Sequence, residues 1–122
     1  MTLNATLDKV DGKKVLNGIL NQRSQDILAA NNWNVCQYAV LIHMLAQVCE
    51  MKVGELVHVI ADAHIYDRHI DTVKELIQRQ SYPAPQFSLN PDIHNFYDFT
   101  INDLIIEGYV GGPQVKNIPM AI

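Results

Sequence analysis

The run from Val35 to Met51 limits the fold more than any other stretch. It is apolar nearly all round, interrupted by Gln37, His43, Gln47 and Glu50. A helix with that pattern is central rather than superficial. His43, Gln47 and Glu50 fall on one stripe, read as a solvated edge or an interface. The polar interruptions leave no apolar run of membrane-spanning length. Lys52-Val53-Gly54 ends the helix. Cys36 and Cys49, the only cysteines, are thirteen residues apart. That spacing is about 20 Å along a helix, so they cannot bridge within it. They read as reduced, buried, small hydrophobes in a cytoplasmic protein.

Strand-like stretches flank this helix. Val10-Asp11-Gly12-Lys13-Lys14-Val15 reads as a strand, an Asp-Gly turn and a second strand running to Asn21. Val15, Asn17, Ile19 and Asn21 face one way; Leu16, Gly18, Leu20 and Gln22 face the other. After the helix, Leu56 to Ala61 has strand composition. Period two puts His58, Ile60, Asp62, His64 and Tyr66 on one face and Val57, Val59, Ala61, Ala63 and Ile65 on the other. One wholly apolar face with a polar cluster at one end suits a binding cavity, and equally an ordinary half-exposed strand.

Asp67 or Asp71 favours the start of a second helix, with apolar stripe Ile70, Val73, Leu76 and Ile77. Tyr82-Pro83-Ala84-Pro85 is an extended linker. Gln86 to Leu89 reads as a short strand, and Phe96, Tyr97 and Phe99 supply packing bulk. Leu104 to Tyr109 reads as the last strand. The 122 residues imply one domain, and 48% apolar content argues against disorder. A net charge of −4 with no basic cluster points away from nucleic acid. No signal peptide pattern stands at Met1-Thr2-Leu3-Asn4. The histidines show no metal-ligand spacing, so no metal is expected.

The chemistry-bearing residues concentrate between Gln22 and Asn34. Arg23 with Ser24 offers a phosphate a planar fork of donors and a hydroxyl. Asn34 can pair with an amide-like edge by donating and accepting at once. Asn34 is also a natural helix N-cap, and the same atoms cannot serve both roles. An exposed loop with a helix cap is the plainer reading of this stretch.

The order of the pieces carries a resemblance. Gln22-Arg23-Ser24-x-Asp26 is followed by Trp33-Asn34-Val35 with Gln37-Tyr38-Ala39. Asp62-Ala63-His64-Ile65-Tyr66, Phe96-Tyr97-Asp98-Phe99, Glu107-Gly108-Tyr109 and Pro119-Met120-Ala121-Ile122 follow in turn. This series resembles the C-terminal half of thymidylate synthase over roughly Val15 to Ile122. The resemblance implies an α+β, sandwich-like fold with a mixed sheet packed on a central helix. Residues 1–122 would then be a single partial domain of that fold.

The family transfers a methylene group from 5,10-methylenetetrahydrofolate to dUMP and reduces it, giving dTMP and dihydrofolate; it is a methyltransferase family that acts as a homodimer. By motif, Arg23 and Ser24 would hold the nucleotide phosphate and Asn34 the uracil ring. His64 and Tyr66 would bind the ribose hydroxyl, Asp26 the folate pterin, and Ile122 would belong to the segment that closes over the ligands.

The departures matter to function. The nucleophilic cysteine of the family's Pro-Cys motif has no counterpart near Met1-Thr2-Leu3, and neither Cys36 nor Cys49 matches it. Ala29-Ala30 and Asn32-Trp33 replace Leu-Gly and Pro-Phe pieces, and Ala30 has less backbone freedom than glycine. The family's N-terminal half has no counterpart either. The expectation is therefore a synthase portion inactive alone, paired as a homodimer or with a complementing N-terminal half. Two other readings are a non-catalytic pyrimidine-nucleotide-binding or assembly fragment, and a soluble α/β domain with no ligand. A deoxycytidylate hydroxymethylase is disfavoured, because cytosine's amino edge suits a carboxylate better than Asn34.

Overall fold

The computed structural model describes residues 1–119. A three-stranded sheet has the order β1-β2-β3, from β1 (Thr2–Leu7), β2 (Lys14–Asp26) and β3 (Lys52–His64). β1 pairs antiparallel with β2, and β2 parallel with β3. A parallel pair needs a crossover, here α1 (Asn31–Val48). Next come a 3₁₀ turn at Asp67–His69 and α2 (Ile70–Leu76). β4 (Gln86–Leu89) and β5 (Leu104–Glu107) form a separate antiparallel pair. The fold is α+β with a mixed sheet, as the sequence implied.

The core lies between α1 and one face of the sheet. Leu16, Ile42 and Ala46 form its buried centre, with Leu45, Met51 and Leu56 packed around it. Gly18 lets the helix come close: a Cβ there would lie 2.6 Å from Ile42 Cδ1. Of the expected polar stripe, His43 and Gln47 form an internal interface, while Glu50 lies beyond the helix and is exposed. Gln47 Nε2 donates to the carbonyls of Asn90 and Ile93, each at 2.8 Å, and the His43 ring meets Phe87 edge-on at 4.8 Å. Those contacts tie the β4 region to the helix.

Sheet register breaks between Leu16, paired with Val53, and Gly18, paired with Leu56. β3 therefore carries one extra residue, a bulge. Gly54 sits there, where a Cβ would lie 2.8 Å from the Leu16 carbonyl. The Asn17 side chain bridges the irregularity. It accepts from Glu55 N–H at 3.0 Å and donates to Thr6 Oγ1 at 3.0 Å.

Several sequence expectations need correction. The first strand is Thr2–Leu7, and Val10 lies in the turn, fully exposed. Asp8 and Asp11 organise that turn by accepting from Val10 N–H and Lys13 N–H. Lys52 Nζ ties it to β3, 2.6 Å from Asp8 and 2.7 Å from Asp11. Helix α1 starts three residues before Asn34, with Ala30 at the N-cap. Asp26 Oδ1 accepts from Leu28 N–H and Ala29 N–H, so the chain turns into the helix earlier than the Asn34 cue suggested. Cys36 and Cys49 are exposed, not buried. The half of α1 that carries Trp33 and Cys36 is open on its outer side. Tyr97 is exposed rather than packing bulk, and β5 stops at Glu107 because Gly108 takes φ +71°.

Candidate functional site

Polar side chains gather at the C-terminal ends of the parallel strands β2 and β3. This is where ligands collect in open parallel sheets. Register pairs Ser24 with Asp62 and Asp26 with His64. Ser24 Oγ donates to Asp62 Oδ2 at 3.2 Å, and His64 Nδ1 lies 3.5 Å from the same oxygen. The His64 ring meets Tyr66 edge-on at 5.1 Å, and Tyr66 meets His69 at 5.7 Å. Ser24, Asp62, His64, Tyr66 and His69 thus form one continuous row.

Asn34 joins from the first turn of α1. Its backbone N–H bonds the Ala30 carbonyl, so its side chain is not a cap. Its Nδ2 instead donates to Gln25 Oε1 at 3.2 Å, and Gln25 is 1% exposed. Below Gln25 on β2, Gln22 Oε1 lies 2.9 Å from His58 Nε2.

Asp26 and Tyr66 border a cleft of about 610 Å³, shared with Trp33, His69, Ile118 and Pro119. Its walls are the start of α1, the segment before α2 and the C-terminal segment. Ile122 lies outside the described residues. Arg23 is exposed and borders a separate shallow hollow with Asn21, Gln22, Val59 and Ala61. Adjacent strand residues alternate faces, so Arg23 and Ser24 leave β2 on opposite sides.

The sequence reading did not assign roles to Asp62, Gln25 or His69. Asp62 stood on the right face of β3. Nothing in the local pattern marks Gln25 or His69, because their partners lie on other elements. Cys36 lines a different, apolar groove with Trp33, Val40, Ile101, Leu104 and Ile106. Among the described residues no cluster of histidine, cysteine and carboxylate could hold a metal, and no helix is long and apolar enough to cross a membrane.

The thymidylate synthase family model matches residues 2–122. The chain belongs to the thymidylate synthase family. It is 40% identical over 111 residues to the bifunctional dihydrofolate reductase-thymidylate synthase of Plasmodium berghei (strain Anka), covering 91% of this chain and 18% of that protein. The structure superposes on the thermostable thymidylate synthase A from Bacillus subtilis with a TM-score of 0.83 and 36% identity, covering 96% of this chain and 41% of that one. The chain therefore spans less than half of either relative. The matched residues 2–122 include the whole β2–α1–β3 unit.

Proposed function

We propose that this chain supplies the nucleotide-reading and folate-facing wall of a thymidylate synthase, and that these 122 residues do not turn over alone. In the assembled enzyme the reaction is methylene transfer from 5,10-methylenetetrahydrofolate to dUMP, with reduction to dTMP and dihydrofolate. The observation that carries this reading is the row from Ser24 through Asp62 and His64 to Tyr66, opening on the cleft bordered by Asp26.

The residues fit the ligands chemically. His64 and Tyr66 suit a ribose hydroxyl, which both donates and accepts. Asn34 Oδ1 can accept from the ring N–H of uracil and its second Nδ2 hydrogen can go to a carbonyl, while Gln25 Oε1 takes the other Nδ2 hydrogen. Ser24 reaches a phosphate oxygen once it releases Asp62. Arg23 approaches from the other side of β2 with a long, permanently charged side chain. The folate would occupy the cleft, with Asp26 taking the pterin and the terminal residues at Ile122 covering it. The chain's own residues bind, orient and exclude water there.

Covalent activation of the pyrimidine needs a thiolate. Cys36 lies in the separate apolar groove and Cys49 at the far end of α1, so neither is placed for it. The carbon transfer would therefore wait for a nucleophile from the remainder of a synthase.

The exposed sheet face supports association. Ile19 is 41%, Val57 47% and Val59 48% exposed on the side of the sheet away from α1. Ile19 pairs with Val57 across the strands and lies beside Val59, an apolar centre flanked by Asn17, Asn21 and Arg23, which suits an interaction surface. We assign it to pairing with a second copy of the chain, as a homodimer.

The test mixes the chain with dUMP and methylenetetrahydrofolate, alone and with the segment of the Bacillus subtilis enzyme outside the matched region. Formation of dTMP only in the complemented mixture is the expected result. Turnover by the chain alone would overturn the inactivity claim.

A further inference from the structure

The segment after β5 is gripped at two carbonyls on either side of α2. Arg79 Nη1 donates to the Pro113 carbonyl at 2.7 Å, and Glu75 steadies that guanidinium, also at 2.7 Å. Before α2, His69 Nε2 lies 2.8 Å from the Pro119 carbonyl. A carbonyl oxygen only accepts, so Nε2 carries the proton and, in the neutral ring, Nδ1 is an acceptor.

His69 is 2% exposed, and its buried Nδ1 has no hydrogen-bond partner among the described residues. Orphaning a buried polar atom costs stability. A phenyl ring would fill the same space and pack on Tyr66 without that cost. What the imidazole adds here is its Nε2–H. Its backbone is fixed as well, since His69 N–H donates to the Tyr66 carbonyl at 2.8 Å. The ring also lines the same cleft as Asp26, Trp33, Ile118 and Pro119.

We infer that His69 is a positioning residue for the cleft: its Nε2–H sets where the C-terminal segment lies across the opening. The Pro119 carbonyl is thereby held at the rim of the cleft, so the segment's position and what the cleft can hold are linked through one side chain. That link to the cleft's occupant rests on the folate reading; the grip itself does not.

The test is ¹⁵N relaxation at Val115 and Ile118 in the whole chain, without ligand. His69→Phe keeps the ring packing and removes the donor; His69→Gln returns a donor close to the Nε2 position. Increased fast motion in H69F, reversed in H69Q, is expected. An H69F segment as rigid as the parent's overturns the inference. Equal loosening in both variants also overturns it, because ring packing rather than the hydrogen bond would then fix the segment. A second arm titrates tetrahydrofolate: H69F weakens it by about fivefold or more while dUMP affinity holds. If the parent chain binds no tetrahydrofolate, the folate reading fails and the relaxation result still decides the grip.

Discussion

Asn34 Nδ2 donates to Gln25 Oε1 across the junction between the end of β2 and the start of α1. The two residues are nine apart in sequence, and the bond depends on the helix starting at Asn31 rather than at Val35. It leaves the Asn34 carbonyl oxygen for another donor and holds the amide in one orientation. The proposed reading of a uracil edge by Asn34 uses that fixed orientation.

Removing Gln25 tests the support. Gln25→Ala leaves the Asn34 amide unpaired, and the expected destabilisation is about 1–3 kcal/mol in a urea melt. The same substitution is expected to weaken dUMP in calorimetry, because Asn34 is freed to rotate. Unchanged dUMP affinity would show that Asn34 needs no partner to read the base.

Asp62 sets a second expectation. Its carboxylate accepts from the Ser24 hydroxyl, the group proposed to take a phosphate oxygen. Two like charges about 4 Å apart in a watery site repel by about 1 kcal/mol. Asp62→Asn is therefore expected to tighten dUMP several-fold and to leave deoxyuridine unchanged. Equal effects on both ligands would place the phosphate elsewhere.

Much of the scaffold was legible in the sequence, and the reasons are physical. The alternation of β2 up to Asn21, the central helix and the short strand at Gln86 follow from local composition and spacing; β2 runs on to Asp26 and β3 begins at Lys52, where the sequence read a loop and a helix end. The direction of β3's faces was not legible. Its polar-bearing face, with His58 and Ile60, is the more covered one, and the apolar Val57 and Val59 face is exposed. Period two fixes which residues share a face but not which face meets the helix. The burial of Cys36 was misread for a related reason: an all-round apolar helix implies cover on every side, and this chain supplies only part of it. The Asn34 and Gln25 pair and the His69 grip depend on elements meeting in space, so no spacing rule reveals them.

The glycines at the helix–sheet contact give a graded pair. At Gly18 a new Cβ meets the tip of Ile42, which can rotate. At Gly54 it meets the Leu16 carbonyl and Val15 Cγ1. Gly54→Ala is expected to cost about 1–3 kcal/mol from overpacking, and more than Gly18→Ala. Equal urea midpoints for the two variants would mean that the bulge shifts freely.

Acid sensitivity has two windows. Burial holds the His43 imidazole below its usual pKa. Its contribution is present above the unfolded value of about 6.5 and is lost as pH falls through the lower folded value. His43→Phe keeps the edge contact with Phe87 and should flatten that loss. The Lys52 hydrogen bonds hold Asp8 and Asp11 below the ordinary carboxylate value, and those from Asn90 and Thr100 do the same for Asp103. Their contribution is full above about 3.9 and declines below it. Urea midpoints measured against pH check both windows; a wild-type curve flat from pH 7 to pH 3 would contradict them.

The apolar sheet face gives the association test. Val57→Lys places a charge in the proposed pairing surface without touching α1. A shift from dimer to monomer in light scattering is expected, and a parent chain that is already monodisperse monomer would remove the pairing proposal.

The most direct measurement is titration calorimetry of dUMP into the isolated chain, with inorganic phosphate as the reference ligand. Saturable binding that prefers dUMP, and that falls in Arg23→Ala, Ser24→Ala and Asn34→Asp, is the result expected of a wall that reads the nucleotide without a nucleophile. No preference for dUMP over phosphate would contradict it: the strand ends would then be a folded scaffold whose binding function lies in other parts of a synthase.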